Sequence, residues 1–210
     1  MPRILSTLAV KLGLQRFARG NAGIAAVEFA YLAPLLMLIT FGTFEMTRAL
    51  IVYKRFQRAT AMVGDLVARE QQLGSTRSQA VSALDGIMRS MANVMAPYSV
   101  TPLKLVITQL RASSSDATQT KIEWNYGYQT TPTQSCGAQK TMPRPNMVTA
   151  GNAAIVVEAT YKYTPLLTNI IPGLVHQMSW SDTMTLAPRN GSVFYGQDSQ
   201  NTTCPAGTAG

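Results

Sequence analysis

Between Ile24 and Phe44 the chain carries a single charge, Glu28, in a run dominated by Ala, Leu, Ile, Phe and Met. No other feature limits the possible folds so sharply. A helix needs about 20 predominantly apolar residues to cross a bilayer, and this run is long enough. Pro34 inside it is compatible with a span, because neighbouring helices can satisfy the backbone groups it frees. The competing reading is a buried helix of a soluble domain. Such a helix would ordinarily be shorter and would not follow a basic leader, whereas Arg3, Lys11, Arg16 and Arg19 all precede Gly23 without an acid among them.

The leader also carries part of the charge imbalance. The chain has 210 residues and a formal charge of +8, but from Ile24 onward 14 basic residues face 10 acidic ones. That remainder is only mildly basic and shows no basic stripe interleaved with stacking aromatics, which argues against a nucleic-acid partner. Charge does not settle orientation, since Arg48, Lys54, Arg55 and Arg58 after the span balance the four basic residues before it. The long Thr/Ser/Asn-rich C-terminal part, which holds both cysteines, favours export and a cytoplasmic N-terminus. The basic residues after the span can then snorkel to lipid headgroups on the far side.

Beyond Glu45 the stretch to Gln72 contains no proline and one glycine. The membrane helix is therefore expected to continue to about Gln72, a rod of roughly 70 Å at 1.5 Å per residue. "LGSTRS" (73–78) breaks it and offers Ser75 or Thr76 as an N-cap. In the next segment Leu84, Ile87, Met88, Met91 and Met95 recur at helical spacing until Pro97 stops the pattern. Such a methionine stripe reads as a packing face rather than a copper site.

After Pro97 the pattern becomes that of strands, at 103–111, 121–126, 153–163 and 176–187. Ile155, Val157, Ala159, Tyr161 and Tyr163 share one face of the third strand; Met178, Trp180, Met184 and Leu186 share one face of the fourth. A polar, Pro/Gly-rich loop separates strands two and three, and the tail after Arg189 reads as irregular. The fold class expected is α+β: a long N-terminal transmembrane helix continuing out of the membrane, a second amphipathic helix, and a small antiparallel β-sheet domain. The organisation is a basic leader over 1–23, a transmembrane and extended helix over 24–72, and an exported α+β domain over 73–210.

Cys136 and Cys204 are the only cysteines. In an oxidising compartment they form a candidate disulfide, worth roughly 4 kcal/mol in the chain-entropy model; two buried free thiols are the alternative, since pairing cannot be read from sequence. They do not suggest zinc. A metal would want a third and fourth ligand at close spacing, which His176, the only histidine, lacks, so neither metal nor cofactor is expected.

A secretory signal peptide has its small-residue cleavage site after the apolar core. Here "TFEMTRAL" follows the core, while the small residues Gly20, Ala22 and Gly23 precede it. Cleavage after Gly23 would remove the basic leader and keep the hydrophobic segment, leaving Glu28 as the fifth residue of the mature chain.

In these residues the chain resembles TadE-like pseudopilins, the minor pilin-like proteins of the tight-adherence (Flp-type) pilus machinery, relatives of type IV pilins. The features that carry the resemblance are Gly23, the Val27-Glu28-Phe29 triplet, Pro34 within the apolar run, and Gly42 followed by Phe44-Glu45 and Arg48. Residues 16–60 resemble the family well and about 153–189 loosely. The resemblance implies processing between Gly23 and Ile24 by a prepilin peptidase. It implies as partners pilus and pseudopilin subunits and an inner-membrane assembly platform, beside membrane lipid. It also implies a single-pass protein of the bacterial inner membrane with a periplasmic C-terminal domain, either built into the pilus or remaining beside it.

The carboxylate has a physical rationale in such a protein. An ionised side chain deep in hydrocarbon costs about 2.5–3.5 kcal/mol on insertion scales, so it needs a partner. Cleavage would create one in the α-amino group at Ile24, mostly charged below its reference pKa of about 8, and Glu28 could meet the amine of a neighbouring subunit. Desolvation cancels part of that attraction, which makes setting register the expected role of Glu28. Ala22, Ala26 and Ala30 fall on one helical face and are small enough for close helix contact.

Two other classes of function compete. A membrane-anchored binding module or adhesin would share the anchor, remain uncleaved, and present the loop at 127–152 to a ligand. An exported enzyme would need residues that are hard to find. No G-x-S-x-G, P-loop or H-E-x-x-H occurs, and His176 with Asp182 does not make a triad. Glu123 and Glu158 could be paired for sugar chemistry, but each occupies an alternate position of a strand where solvated charges are common. The expected function is non-enzymatic.

Overall fold

The computed structural model describes residues 22–143, 147–170 and 176–196. Most of the leader and Cys204 lie outside the described residues. The chain is α+β, as the patterning predicts. Helix α1 runs over Ala22–Arg69 and helix α2 over Arg77–Met95, followed by strands β1 (Leu103–Ala112), β2 (Thr120–Tyr128) and β3 (Ala153–Tyr163), a short helix α3 (Leu167–Ile170), and strand β4 (Met178–Leu186). The strands form one antiparallel sheet in the order β2-β1-β3-β4. Two compact units divide between Thr47 and Arg48.

The first unit contains the apolar part of α1. Its large side chains are exposed all round the helix, from Ile24, Val27 and Phe29 through Leu35, Leu38 and Phe41 to Phe44 and Met46. A helix apolar on every face suits a membrane span rather than the surface of a soluble domain. The helix is long and apolar enough to cross a bilayer. Pro34 lies inside it without ending it, and the hydroxyls of Thr40, Thr43 and Thr47 donate to the carbonyls of Leu36, Ile39 and Thr43, which keeps these polar groups satisfied within the helix.

In the second unit α1 becomes amphipathic. Val52, Phe56, Ala59, Val63 and Val67 form a fully buried stripe at helical spacing. Burying side chains such as these contributes about 1.5–3 kcal/mol each for the larger ones. Gly64 allows close approach to the sheet, since a Cβ there would lie 2.5 Å from Leu186 Cδ1 and 3.4 Å from Val157 Cγ2. Helix α2 starts at Thr76, which forms a capping box with Gln79. It buries Ala80, Leu84, Met88, Met91 and Met95, so the methionines fill the core.

Both helices cover one face of the sheet. Leu103, Leu105 and Ile107 of β1, Trp124 and Tyr126 of β2, and Ile155, Val157, Ala159, Tyr161 and Tyr163 of β3 join the helical stripes in the main core. On β4, Trp180 and Met184 are half-buried against it. The opposite face carries a smaller cluster of Leu110, Ile122 and Val156, covered by Cys136, Ala138 and Met142 from the β2–β3 loop. That loop is pinned to the β2 edge, where Gly137 donates to Ile122 and Ile122 to Ala138.

The tail after Arg189 is irregular, as its composition suggests, yet it is part of the core. Phe194 donates its amide to Gln71 and accepts from Leu73, and Arg189 donates to Ala68. Val193 and Tyr195 are buried. Gly196 adopts φ +95°, and a Cβ there would lie 2.6 Å from the Thr76 carbonyl, so this strap needs glycine to pass the start of α2.

Candidate functional site

Gly23, Ile24 and Glu28 lie in the first turns of α1. A Cβ at Gly23 would meet nothing within 4 Å. Ile24 and Glu28 are exposed, and their four-residue spacing puts them on one face of the helix, one turn apart. Ala26 and Ala30 are also one turn apart and exposed, as is Pro34. Glu45, the other acid of this half of α1, is buried. Thus the apolar helix exposes one carboxylate, a single turn after the Gly23-Ile24 bond.

Among the described residues the remaining sequence candidates do not converge. Cys136 is half-buried over the small cluster on the outer face, and Cys204 is outside the described residues. His176 is exposed just before β4, and Asp182 lies within β4.

Glu123 and Glu158 are on opposite faces of the sheet. The register jumps from Gln109↔Trp124 to Leu110↔Ile122, which leaves Glu123 as the extra residue of a bulge. The bulge turns its carboxylate toward Gln109 and Arg111, with which it forms a short hydrogen bond and a short ion pair. Its side chain is 10% exposed, so Glu123 is not the solvated surface charge that strand alternation predicts. Glu158 accepts from Lys140 Nζ at 2.6 Å on the loop-covered face. With the sheet between them, the two carboxylates cannot flank one sugar bond. Among the described residues no group of three or more His, Cys, Asp or Glu could hold a metal ion.

Two clusters went unrecognised in the sequence. One is the recess where the strap meets the sheet, lined by Gln109, Arg111, Glu123, Trp124 and Val193–Tyr195. Val193 donates its amide to Gln109 Oε1 at 2.9 Å and accepts from Trp124 Nε1 at 3.0 Å. The recess is thus already occupied by the chain's own groups. The other cluster surrounds the start of the second unit. Arg48 lies 5.9 Å from the Tyr98 ring and 5.6 Å from that of Tyr163, and Arg55 lies 5.7 Å from Tyr98. The only signal for it in sequence was the run of basic residues from Arg48 to Arg58.

Titration of three tyrosines reflects packing. Burial pushes Tyr126 well above the ordinary phenol value, and its hydroxyl's short bond to the Asp85 carboxylate adds to the shift. Burial likewise raises Tyr161 and Tyr195.

No curated protein and no solved structure matches the chain. Residues 23–65, which include Gly23, Glu28 and Pro34, match the model of the TadE-like protein family.

Proposed function

We propose that this protein is a non-enzymatic pseudopilin that takes part in assembling or initiating a tight-adherence pilus. The observation that carries the reading is the family match over residues 23–65, which coincides with an apolar helix exposing a single carboxylate. The TadE-like family points to the tight-adherence system. The bond between Gly23 and Ile24 is the substrate of a prepilin peptidase, and Glu28 is the registering charge. Pilus and pseudopilin subunits and an inner-membrane assembly platform are the partners. The protein lies in the bacterial inner membrane with its N-terminus cytoplasmic and residues 73–210 forming a periplasmic domain. Processing after Gly23 would remove Ala22, so Ala26, Ala30 and Pro34 are the positions left to contact neighbouring helices. Cys136 and Cys204 form a disulfide that holds the tail to the β2–β3 loop.

Intact-mass measurement on membrane-extracted protein tests the central step. A mature chain beginning at Ile24 is expected, and Gly23→Ala should leave the leader attached. A full-length N-terminus on the wild-type protein would overturn the pseudopilin assignment in favour of an uncleaved anchored binding module.

A further inference from the structure

Arg48 begins a region of the second unit in which cations and aromatic rings are joined by direct contacts. Arg48 donates to the Tyr163 hydroxyl at 3.3 Å and lies against the Tyr98 and Tyr163 rings. Tyr163 stacks on Trp180 at 4.9 Å, and Tyr53 meets Trp180 edge-on at 5.3 Å. Tyr163 pairs with Met178 in the β3–β4 register. Leu50, Ile51, Leu166 and Met178 are exposed at 50%, 44%, 43% and 39%. Four basic residues, Arg48, Lys54, Arg55 and Arg58, lie between Thr47 and Gly64, and no acid does.

We propose that this surface of the second unit rests in the headgroup layer of the bilayer and binds anionic phospholipid. The inference depends on the reading of the apolar helix as a membrane span. Chain continuity supports lipid as the occupant. Arg48 follows the last apolar residue of the run, Phe44, by four positions, and the headgroup layer on each side of a bilayer core is about 5–8 Å deep, close to the helix rise over four residues. Composition supports it as well. Half-buried Tyr53, Tyr98 and Trp180 supply rings of the kind favoured at that depth, with Tyr163 beneath them in the core; exposed Leu50 and Ile51 can enter the acyl boundary, and the exposed Lys54 and Arg58 can meet lipid phosphates. The one acid between Phe44 and Gly64, Glu45, is buried, so the exposed charge of this stretch is basic and suits an anionic surface.

Photocrosslinking of the full chain in vesicles tests this. Benzoylphenylalanine is placed singly at Leu166 and Met178 on the surface, at Phe41 in the span, and at Thr118 in the β1–β2 turn. Thr118 lies at the opposite end of the sheet from Tyr163, as the pairing of Leu103 with Tyr161 and of Arg111 with Ala153 requires. The vesicles are phosphatidylcholine with or without phosphatidylglycerol. Lipid adducts are expected at Leu166, Met178 and Phe41 and not at Thr118. Replacing Lys54 and Arg55 by Gln should lower the preference for phosphatidylglycerol by about fivefold for each charge removed. Adducts at Phe41 without adducts at Leu166 and Met178, or protein adducts alone at those two positions, would overturn the surface assignment. Absence of lipid adducts at Phe41 would overturn the membrane anchor and the surface together.

Discussion

Trp124 donates its indole N–H to the main-chain carbonyl of Val193 at 3.0 Å, joining β2 to a strap 69 positions away in sequence. Tyr195 stacks on the same indole with ring centroids 4.9 Å apart. Together these contacts make the strap a wall of the core. Trp124→Phe keeps a ring for Tyr195 but leaves the Val193 carbonyl without its donor. It should cost about 1–3 kcal/mol, because a buried acceptor then loses its partner. A lower Tm and faster proteolytic loss of the segment after Arg189 are the expected readouts.

Gly64 should respond to substitution in a graded way. Gly64→Ala gains up to about 1 kcal/mol of helix propensity. It loses a similar amount by displacing Leu186 Cδ1, which would lie 2.5 Å from the new methyl. A net change of less than about 1 kcal/mol is therefore expected. Gly64→Val adds a branch toward the same contacts and should cost about 1–3 kcal/mol. Leu186→Ala would remove the clash and let Gly64→Ala express its helix gain, so denaturant unfolding of the four chains in a double-mutant cycle should show coupling.

The elements legible in the sequence were those with a sustained period. The β3 boundaries and the helical stripe ending at Met95 followed from apolar alternation and Pro97. The exposed apolar helix and its Glu28 were legible because a membrane run needs no tertiary context to be recognised. Glu123 was misread because period-two alternation assumes an unbroken ladder, and the bulge at Gln109/Leu110 redirects one residue out of phase. Val193 and Tyr195 were missed because an irregular strap has no period. Its register depends on hydrogen bonds to Gln109, Trp124 and Gln71, distant in sequence. Gly64 had no signal of its own, since closeness to Leu186 is a property of the assembled sheet and helix.

The raised tyrosines give a pH dependence of definite sign. Tyr126 ionises in the unfolded chain near its ordinary value of about 10, but burial and the Asp85 carboxylate keep it neutral in the folded one at higher pH. Its stabilising contribution is fully present below about pH 10 and is lost as pH rises above that, because the unfolded state then binds fewer protons. Tyr161 and Tyr195 shift in the same direction. Urea midpoints should therefore fall above about pH 10. Tyr126→Phe should lower the midpoint at neutral pH, through loss of the Asp85 bond, and flatten the alkaline decline.

Glu123 and Arg111 form an ion pair whose side chains are 10% and 22% exposed. Arg111 also donates to the Gly151 carbonyl at 3.0 Å, so the pair helps hold the end of the β2–β3 loop. Breaking a fully buried pair costs about 3–5 kcal/mol; the residual solvent contact of Arg111 argues for a smaller loss here, about 2 kcal/mol for Glu123→Ala. Replacing both partners by apolar residues, as in Glu123→Leu with Arg111→Met, should recover part of it, because no uncompensated charge remains although Gln109 Nε2 and the Gly151 carbonyl lose their partners. Chemical denaturation of the three variants checks the order.

Glu28 separates a requirement for insertion from one for assembly. A carboxylate in an apolar helix opposes insertion by about 2.5–3.5 kcal/mol if it is ionised and unpaired, so Glu28→Ala should insert at least as well as the wild type. The fold of the second unit should be unchanged, since Glu28 is exposed on the first. If the chain is processed after Gly23, what the substitution removes is the charge available to the new amine at Ile24, whether in its own chain or in a neighbour. Glu28→Ala should therefore export normally and be depleted from detergent-extracted pilus complexes, and Glu28→Gln, which keeps shape and hydrogen bonding, should be depleted too. If glutamine restored incorporation, hydrogen bonding rather than charge would set the register. Equal incorporation of all three chains would remove Glu28 from assembly altogether.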